Sequence, residues 1–262
     1  GGQSISYSIS GSDASSMSIN SSSGALTFNS APDHETKNSY SVTATASDGT
    51  NSTSQEITVN VTDVNEAPVF TSSNTFSAAE NQTAIGSVTA TDADGDSITF
   101  TVSGSELAIT SAGVLTFVSA PDYETKSSYT ATVTASDGTN STTQAITVNV
   151  TDVNEVPVFT SSNTFSAAEN QTAIGSVTAT DADGDSITFT VSGSELAITS
   201  AGVLTFVSAP DYETKSSYTA TVTASDGTNS TTQAITINVN DNSPVFTSSN
   251  TFSVAENQTA IG

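Results

Sequence analysis

The stretch TDADGDSITF occurs at residues 91–100 and again, letter for letter, at 180–189. The first copy places three carboxylates close together, at Asp92, Asp94 and Asp96. Carboxylate oxygens at this spacing can bind a hard divalent cation. Asp-rich turns with glycine are nevertheless common at strand ends, where the short side chain bonds its own backbone. The motif alone leaves both a metal site and a turn open, and the turn is the commoner case.

An EF-hand loop is excluded by the residues that follow. Such a loop needs glycine at its sixth position and glutamate at its twelfth. Counted from Asp92, these positions hold Ser97 and Ser103. Strand-like rather than helical sequence flanks the motif, which also argues against the EF-hand.

Further acidic motifs in each repeat favour the metal site. They are AEN at Glu80, PDYE at Asp122 and Glu124, SDG at Asp137, and DVNE ending at Glu155. In a β-sandwich, the DADGD and SDG motifs would lie at the pole that faces the preceding domain. The other motifs would lie at the opposite pole, so acidic groups of neighbouring domains would face each other.

The composition points to cations as partners. The 262 residues include 27 Asp and Glu against 3 Lys and Arg, which gives a formal charge of −24. Such a charge repels nucleic acid and anionic membranes. There is no cysteine and therefore no disulfide framework. No apolar run approaches the roughly 18 residues of a membrane span. We expect no nucleic-acid partner and no membrane insertion in this segment.

A long internal repeat argues against disorder. Segments 69–150 and 158–239 are identical except that Val148 is replaced by Ile237. The repeat is too long for a solenoid and suits a small autonomous β-domain. Four segments are predicted: a partial domain (1–66) that lacks its first two strands, two complete domains (67–155 and 156–242), and the first strand or strands of another (243–262). We expect this chain to be a window from a longer array.

Alternation of polar and apolar residues predicts strands in each unit. In SYTATVTAS (128–136), Tyr129 and every second residue after it face one side, and threonines face the other. The predicted strands of the first complete unit are 74–80, 84–91, 97–102, 106–110, 113–118, 128–136 and 144–150. The fold class is therefore all-β, with tandem seven-stranded antiparallel Greek-key β-sandwiches. Phe100, Phe117 and Tyr129 are predicted to face the core.

The motifs AEN, DYE, DVNE followed by PVF, DAD and SDG, in this order and spacing, resemble the calcium motifs of cadherin repeats. Their Thr- and Ser-rich form is similar to the cadherin-like domains of large bacterial surface proteins. The resemblance implies oxygen-ligated Ca²⁺ between consecutive domains, about three ions per complete junction. The family linker usually reads Asp-x-Asn-Asp-Asn-x-Pro. DVNEAP and DVNEVP are one residue shorter and carry Glu for the second Asp, which leaves one ligand per junction unassigned.

The resemblance assigns candidate metal ligands at three junctions. The first junction has Asp33, Glu35, Asn65, Glu66, Asp92, Asp94 and Asp137. The second has Glu80, Asp122, Glu124, Asn154, Glu155, Asp181, Asp183 and Asp226, with the backbone carbonyl of Val153. The third has Glu169, Asp211, Glu213, Asn240 and Asp241, and is expected to be incomplete or weak because its downstream half is not in the sequence.

Catalytic motifs are missing from the sequence. The one histidine, His34, stands where the other units have tyrosine, and there is no Cys/His pair, no GxSxG and no phosphate-binding Gly-rich loop. We predict no enzyme. Lys37, Lys126 and Lys215 are interpreted as local charge balance. Asn140 begins one of several N-x-S/T patterns, which are frequent by chance in such a chain.

Two functions remain open. The first is a calcium-rigidified stalk or filament segment of a large bacterial surface adhesin, outside the cell. The second is a calcium-dependent adhesion module that binds surface polysaccharide or like domains. Carbohydrate sites usually present exposed aromatic side chains, whereas the aromatic side chains here are predicted to lie in the cores.

Overall fold

The computed structural model describes residues 4–242 and 250–260. Contacts divide the chain into two units, Gly1–Thr151 and Asp152–Gly262. Unit 1 holds the partial domain and the first complete domain, and unit 2 holds the second complete domain. No helix in the described residues is long and apolar enough to cross a membrane.

The strands have the following bounds. The partial domain contains β1 (Ser6–Ser10), a 3₁₀ turn (Ala14–Ser16), β2 (Met17–Ile19), β3 (Leu26–Phe28), β4 (Ser39–Ser47) and β5 (Ser52–Asn60). The first complete domain contains β6 (Val69–Phe70), β7 (Thr75–Ala79), β8 (Ala84–Ser87), β9 (Ala90–Thr91), β10 (Thr99–Val102), β11 (Leu107–Ile109), β12 (Val114–Phe117), β13 (Ser128–Ser136) and β14 (Ser141–Thr151). The second contains β15 (Val158–Phe159), β16 (Thr164–Ala168), β17 (Ala173–Ser176), β18 (Ala179–Thr180), β19 (Thr188–Val191), β20 (Leu196–Ile198), β21 (Val203–Phe206), β22 (Ser217–Ser225) and β23 (Ser230–Asn240).

Each complete domain is a sandwich of two sheets. In the first, a four-stranded sheet has the order β10-β13-β14-β7 and a three-stranded sheet the order β11-β12-β8. The second domain repeats both orders with β19-β22-β23-β16 and β20-β21-β17. The all-β sandwich prediction is confirmed, and all seven predicted strands form. The short strand β6, which pairs with β9, was not predicted.

One strand pair in each complete domain is parallel, whereas the sequence predicted an antiparallel sandwich throughout. Strand β7 pairs in parallel with β14, with Thr75 opposite Thr147 and Ala79 opposite Thr151. A parallel pair needs a crossover connection. Strands β7 and β14 meet this requirement, because the chain between them passes through both sheets.

The predicted strand 84–91 is split into β8 and β9 by a close backbone contact. The N–H of Val88 donates to the carbonyl of Gly113 at 2.8 Å. Gly113 has φ +89°, and a Cβ there would lie 2.2 Å from the Val88 carbonyl oxygen. Only glycine fits this approach. β8 stays in the three-stranded sheet, and β9 leaves it to pair with β6.

The core lies between the two sheets. Val133 and Val148 from one sheet and Leu115 from the other are fully buried. Phe100 and Phe117 are buried, and Tyr129 packs edge-on against Phe117 with ring centroids 5.0 Å apart. The predicted placement of these aromatic side chains in the core is confirmed.

The two terminal segments differ from complete domains. Strands β1–β5 correspond to β10–β14, so the described residues of the partial domain hold no counterpart of β7 or β8. Residues 250–260, which repeat residues 74–84 except that Val254 replaces Ala78, form no strand. In the complete domains this segment pairs with the last strand of its own domain, and the described residues hold no such strand after residue 250. The rest of the predicted segment 243–262 lies outside the described residues.

Candidate metal centre

The linker before the first complete domain lies against that domain. The side-chain amide of Asn65 donates to Oδ2 of Asp137 at 2.9 Å, and the backbone N–H of Glu66 donates to Oδ2 of Asp94 at 2.9 Å. Asp94 is in the loop between β9 and β10, and Asp137 is in the turn between β13 and β14. The structure thus brings the DADGD and SDG motifs to one pole.

Three carboxylates from three parts of unit 1 converge at this pole. Glu35 follows β3 of the partial domain, Glu66 is in the linker, and Asp94 belongs to the complete domain. One oxygen of each lies within 4.8 Å of one oxygen of each of the others. A cation between them would therefore contact both domains and the linker.

The electrostatics of Glu66 reflect this crowding. Burial raises the pKa of the Glu66 carboxyl above its usual value, and the negative charges of Asp94 and Glu35 raise it further, with smaller effects of Asp63 and Asp33. A carboxylate surrounded by like charges is unfavourable without a counter-charge. A divalent cation would relieve the repulsion.

The DADGD loop supplies oxygens that lack hydrogen-bond donors. Oδ1 of Asp92 accepts the N–H groups of Asp94 and Asp96 at 3.1 and 3.3 Å. Oδ2 of Asp92 and Oδ1 of Asp94 are buried and have no hydrogen-bond partner in the part of the chain that the structure describes. Their counterparts on Asp181 and Asp183 share this property. Because buried carboxylate oxygens normally have a partner, these residues fit a bound Ca²⁺.

Asp137 is held by several donors. Its Oδ1 accepts the N–H groups of Thr139 and Asn140, both at 2.6 Å. Burial raises the pKa of Asp137, but the hydrogen bonds from Asn65, Thr139 and Asn140 outweigh it and lower the pKa below its usual value. Asp137 is therefore charged and fixed beside the linker.

Unit 2 repeats these linker contacts. The side chain of Asn154 donates to Oδ2 of Asp226 at 3.0 Å, and the N–H of Glu155 donates to Oδ2 of Asp183 at 2.9 Å. The hydrogen bond from Asn154 is the main cause of the lowered pKa of Asp226. Val153, predicted to offer its carbonyl, lies in the exposed part of this linker.

The opposite pole of each complete domain is built around a buried glutamate. In unit 1, Glu80 is 3% exposed, and its Oε2 accepts the N–H of Tyr123 at 2.9 Å. Asp122 accepts the N–H of Thr125 at 2.9 Å, and Glu124 is exposed in the same loop.

In unit 2, Glu169 occupies the equivalent place. Its carboxylate accepts the N–H groups of Asn242 and Tyr212 at 2.9 and 3.2 Å, and its own N–H donates to the backbone carbonyl of Asn240 at 3.1 Å. A backbone hydrogen bond lowers the pKa of Glu213. The pKa is nevertheless raised above its usual value by a hydrogen bond with Asp211, by burial, and by the charges of Glu169 and Asp241. Of the residues predicted for the third junction, Glu169 thus contacts Asn240, and Glu213 contacts Asp211 through its N–H.

One predicted ligand has another role within its loop. Both carboxylate oxygens of Asp33 accept hydrogen bonds from Thr36, from the N–H at 3.0 Å and from the hydroxyl at 3.1 Å. These bonds lower the pKa of Asp33. Asp33 stabilises the loop that carries Glu35 and adds to the negative field at Glu66.

Several residues of these poles were not predicted from the sequence. Asp96 joins Asp92 and Asp94 in a second cluster of possible ligand atoms, and Asp63 joins Glu35 and a ring nitrogen of His34 in a third. Asp96 stands within the quoted DADGD motif and Asp63 opens the quoted DVNEAP linker, so both could have been chosen. That Asp63 lies beside His34 and Glu35 is visible only in the fold. His34, interpreted as a surface substitution, lies with Nδ1 3.0 Å from Oε1 of Glu35.

Known proteins match this chain along the same repeat units. The family described as "Bacterial Ig domain" matches residues 65–151 and 154–239. Human "Cadherin EGF LAG seven-pass G-type receptor 1" is 32% identical over 87% of this chain, and the match spans 9% of that protein. The chain therefore corresponds to a small part of this relative.

Solved structures show the same fold. Mouse Cadherin-23 EC22-24 has a TM-score of 0.56 at 23% identity, over 91% of this chain and 86% of that one. The extracellular cadherin domains 1-5 of Protocadherin Gamma B2 have a TM-score of 0.62 at 23% identity, over 93% of this chain and 54% of that one. The two segments that match the family begin at the linker residues Asn65 and Asn154. The chain therefore belongs to the bacterial Ig domain family, as a tandem of cadherin-like repeats.

Proposed function

We propose that this chain is a calcium-dependent spacer segment of a protein on the cell surface. Calcium at a linker fixes neighbouring β-sandwiches in one orientation. The supporting observation is the convergence of Glu35, Glu66 and Asp94, whose oxygens lie within 4.8 Å of one another although they come from the partial domain, the linker and the complete domain.

Calcium suits this donor set better than the other common cations. All candidate side-chain ligands at the first junction are carboxylates or amides, and Ca²⁺ accepts six to eight oxygens in flexible geometry, whereas Mg²⁺ demands a near-octahedral site and retains waters. Glu35, Glu66, Asp92, Asp94 and Asp137 would hold the cation with the side chain of Asn65. When bound, it neutralises these carboxylates and cross-links the two domains.

Without the cation, the same carboxylates repel one another. The raised pKa of Glu66, caused by burial and by the charges of Asp94 and Glu35, shows the direction of this effect. The partial domain is then free to move about the linker. Extracellular calcium would hold the junction rigid, and its removal would loosen it.

The spacer role is favoured by the near-identity of the complete repeats. Duplication of one unit changes length without creating a new surface, so a repeat of this kind suits a stalk better than a specific receptor. The comparison with a cell-surface receptor and with extracellular cadherin domains supports a location outside the cell. The core aromatics Phe100, Phe117 and Tyr129 offer no exposed platform for a sugar, and each complete domain exposes one other tyrosine, Tyr123 or Tyr212.

The test is a distance measurement across the first junction. The chain has no cysteine, so spin labels can be attached at Thr58→Cys and Thr130→Cys, one on each domain and both exposed. In millimolar Ca²⁺ the distance distribution is narrow, and in chelator it broadens. In Mg²⁺ it stays broad.

Matched variants locate the effect. Glu66→Gln removes a carboxylate of the cluster, and Glu56→Gln removes an exposed one from β5. The first broadens the distribution in Ca²⁺ and the second does not. A distribution equally broad with and without Ca²⁺ in the unsubstituted chain refutes the proposal.

A further inference from the structure

Asn140 makes a hydrogen bond to the linker that needs no metal. It lies in the turn between β13 and β14 and is half-buried. Its side-chain Nδ2 donates to the backbone carbonyl of Asn65 at 2.7 Å, and its own N–H donates to Asp137. The asparagine side chain thus connects the turn to the linker while the turn is itself fixed.

The contact is reciprocal. Asn65 donates its side-chain amide to Asp137, and Asn140 donates its side-chain amide to Asn65. The N–H of Glu66 adds a third hydrogen bond, to Asp94. Three hydrogen bonds between a dipeptide and one domain restrict it without any contribution from the partial domain.

The same arrangement recurs in unit 2. Asn229 donates its Nδ2 to the carbonyl of Asn154 at 3.1 Å, and Asn154 donates to Asp226. The N–H of Glu155 again donates to the aspartate of the DADGD loop, Asp183. The contacts are therefore a property of the linker and the domain that follows it.

We propose that Asn140 and Asn229 are positioning residues that dock the linker onto the following domain in the absence of metal. The linker ligands are then preassembled with the DADGD and SDG motifs. Asn65 and Glu66 then stay with the following domain, and any movement of the partial domain takes place upstream of Asn65. Hydrogen bonds alone support the docking. It rests on the proposed function only for the identity of the ion that binds afterwards.

This role also explains the asparagine of the N-x-S/T pattern that begins at residue 140. The amide nitrogen that a glycan would occupy is the donor to the Asn65 carbonyl. Docking should raise the affinity of the site for an ion, because ligands that are ordered in advance lower the entropic cost of binding it.

The test is amide hydrogen exchange in the presence of chelator, resolved by residue. The N–H groups of Glu66 and Glu155 report the two linkers separately, and their next residues, Ala67 and Val156, distinguish the signals. In the unsubstituted chain both N–H groups are protected. Asn140→Ala accelerates exchange at Glu66 about five- to tenfold, the effect of about one hydrogen bond, and leaves Glu155 unchanged.

Matched variants complete the design. Asn229→Ala shows the reverse pattern. Asn140→Asp keeps the size of the side chain but loses the donor, and it behaves as Asn140→Ala does. Asn51→Ala changes the same position of the turn in the partial domain, where the described residues include no linker, and alters neither signal. Unchanged protection of a buried N–H in the substituted domain shows that each variant is folded: Val133 for the Asn140 variants, Val222 for Asn229→Ala and Val42 for Asn51→Ala.

The outcomes separate this inference from the proposed function. An unprotected Glu66 N–H in chelator, or equal protection in Asn140→Ala, overturns the docking. A calcium titration is run on the same samples. If the linkers are docked and the chain binds no Ca²⁺, the proposed function fails and the docking stands.

Discussion

The two carboxylate oxygens of Asp94 serve different purposes. Oδ2 accepts the backbone N–H of Glu66 at 2.9 Å, whereas Oδ1 is buried and has no hydrogen-bond partner within the described residues. One oxygen therefore orders the linker, and the other is left for a cation. The repeat preserves this division in Asp183, which accepts the N–H of Glu155.

Asp94→Asn should separate these two purposes. Its amide oxygen can still accept the Glu66 N–H, but an NH₂ group replaces the second oxygen and one negative charge is lost. We expect calcium affinity at the first junction to fall by about tenfold or more, since ligand sets tolerate such changes poorly. Isothermal titration calorimetry measures the change. Glu56→Gln controls for the lost charge, and an equal loss of affinity in both variants would show that net charge alone is responsible.

Gly113→Ala should destabilise unit 1 strongly. A positive φ costs a residue with a Cβ about 1–2 kcal/mol. The contact with the Val88 carbonyl at 2.2 Å adds a backbone displacement, which costs about 1–3 kcal/mol more. Gly104→Ala is the matched control, because Gly104 has φ +83° and nothing within 4 Å of the added Cβ. Urea denaturation should show the larger loss for Gly113→Ala, and equal losses would mean that the contact relaxes freely.

Lys126 pairs with Glu106 and stacks on an aromatic ring. Its Nζ lies 2.5 Å from Oε1 of Glu106 and 4.3 Å from the centroid of the Tyr129 ring. Because the lysine is partly exposed, we expect Lys126→Met to reduce the free energy of unfolding by only about 0.5–1 kcal/mol. Glu106→Gln removes the ion pair and keeps the ring contact, so it should cost less. High salt should shrink the effect of Glu106→Gln, and an effect independent of salt would contradict an ion-pair contribution.

The strands were predictable because their signal is local. Alternation in SYTATVTAS fixes which side of β13 faces the core, and Val133 is fully buried as that alternation requires. The parallel pairing of β7 with β14 was not predictable, since alternation is the same in parallel and antiparallel edge strands. The break after β8 depends on Gly113, which is distant in sequence from Val88.

The poles were predictable only in part. The acidic motifs identified Asp94 and Asp137 from their residue types and repeated spacing. Asn140 was dismissed as part of a chance pattern, because its value lies in one hydrogen bond to a linker carbonyl that no motif encodes. Asp63 reaches His34 and Glu35 only through the fold of the loop after β3. The assignment of the acidic motif residues, such as Asp94 and Asp137, as metal ligands stays a prediction until calcium binding is measured.

The turn between β4 and β5 should carry a measurable acid dependence. Oδ1 of Asp48 accepts the N–H groups of Asn51 and Thr50 at 2.7 and 2.8 Å, and these bonds lower the pKa of Asp48 below its usual value. A carboxyl whose pKa is lower in the folded state adds stability above its unfolded pKa of about 3.9. That contribution is lost as the pH falls through the folded-state pKa.

Asp48→Asn keeps an oxygen acceptor of the same shape and removes the titrating group. We therefore expect the substituted chain to be less stable than the unsubstituted chain by a constant amount above about pH 5, with the difference shrinking below about pH 4. Urea midpoints measured between pH 3 and 7 in chelator give the comparison without metal. Glu56→Gln controls for the loss of one charge. A difference that stays constant to the lowest pH would mean that the charge of Asp48 contributes nothing to the turn.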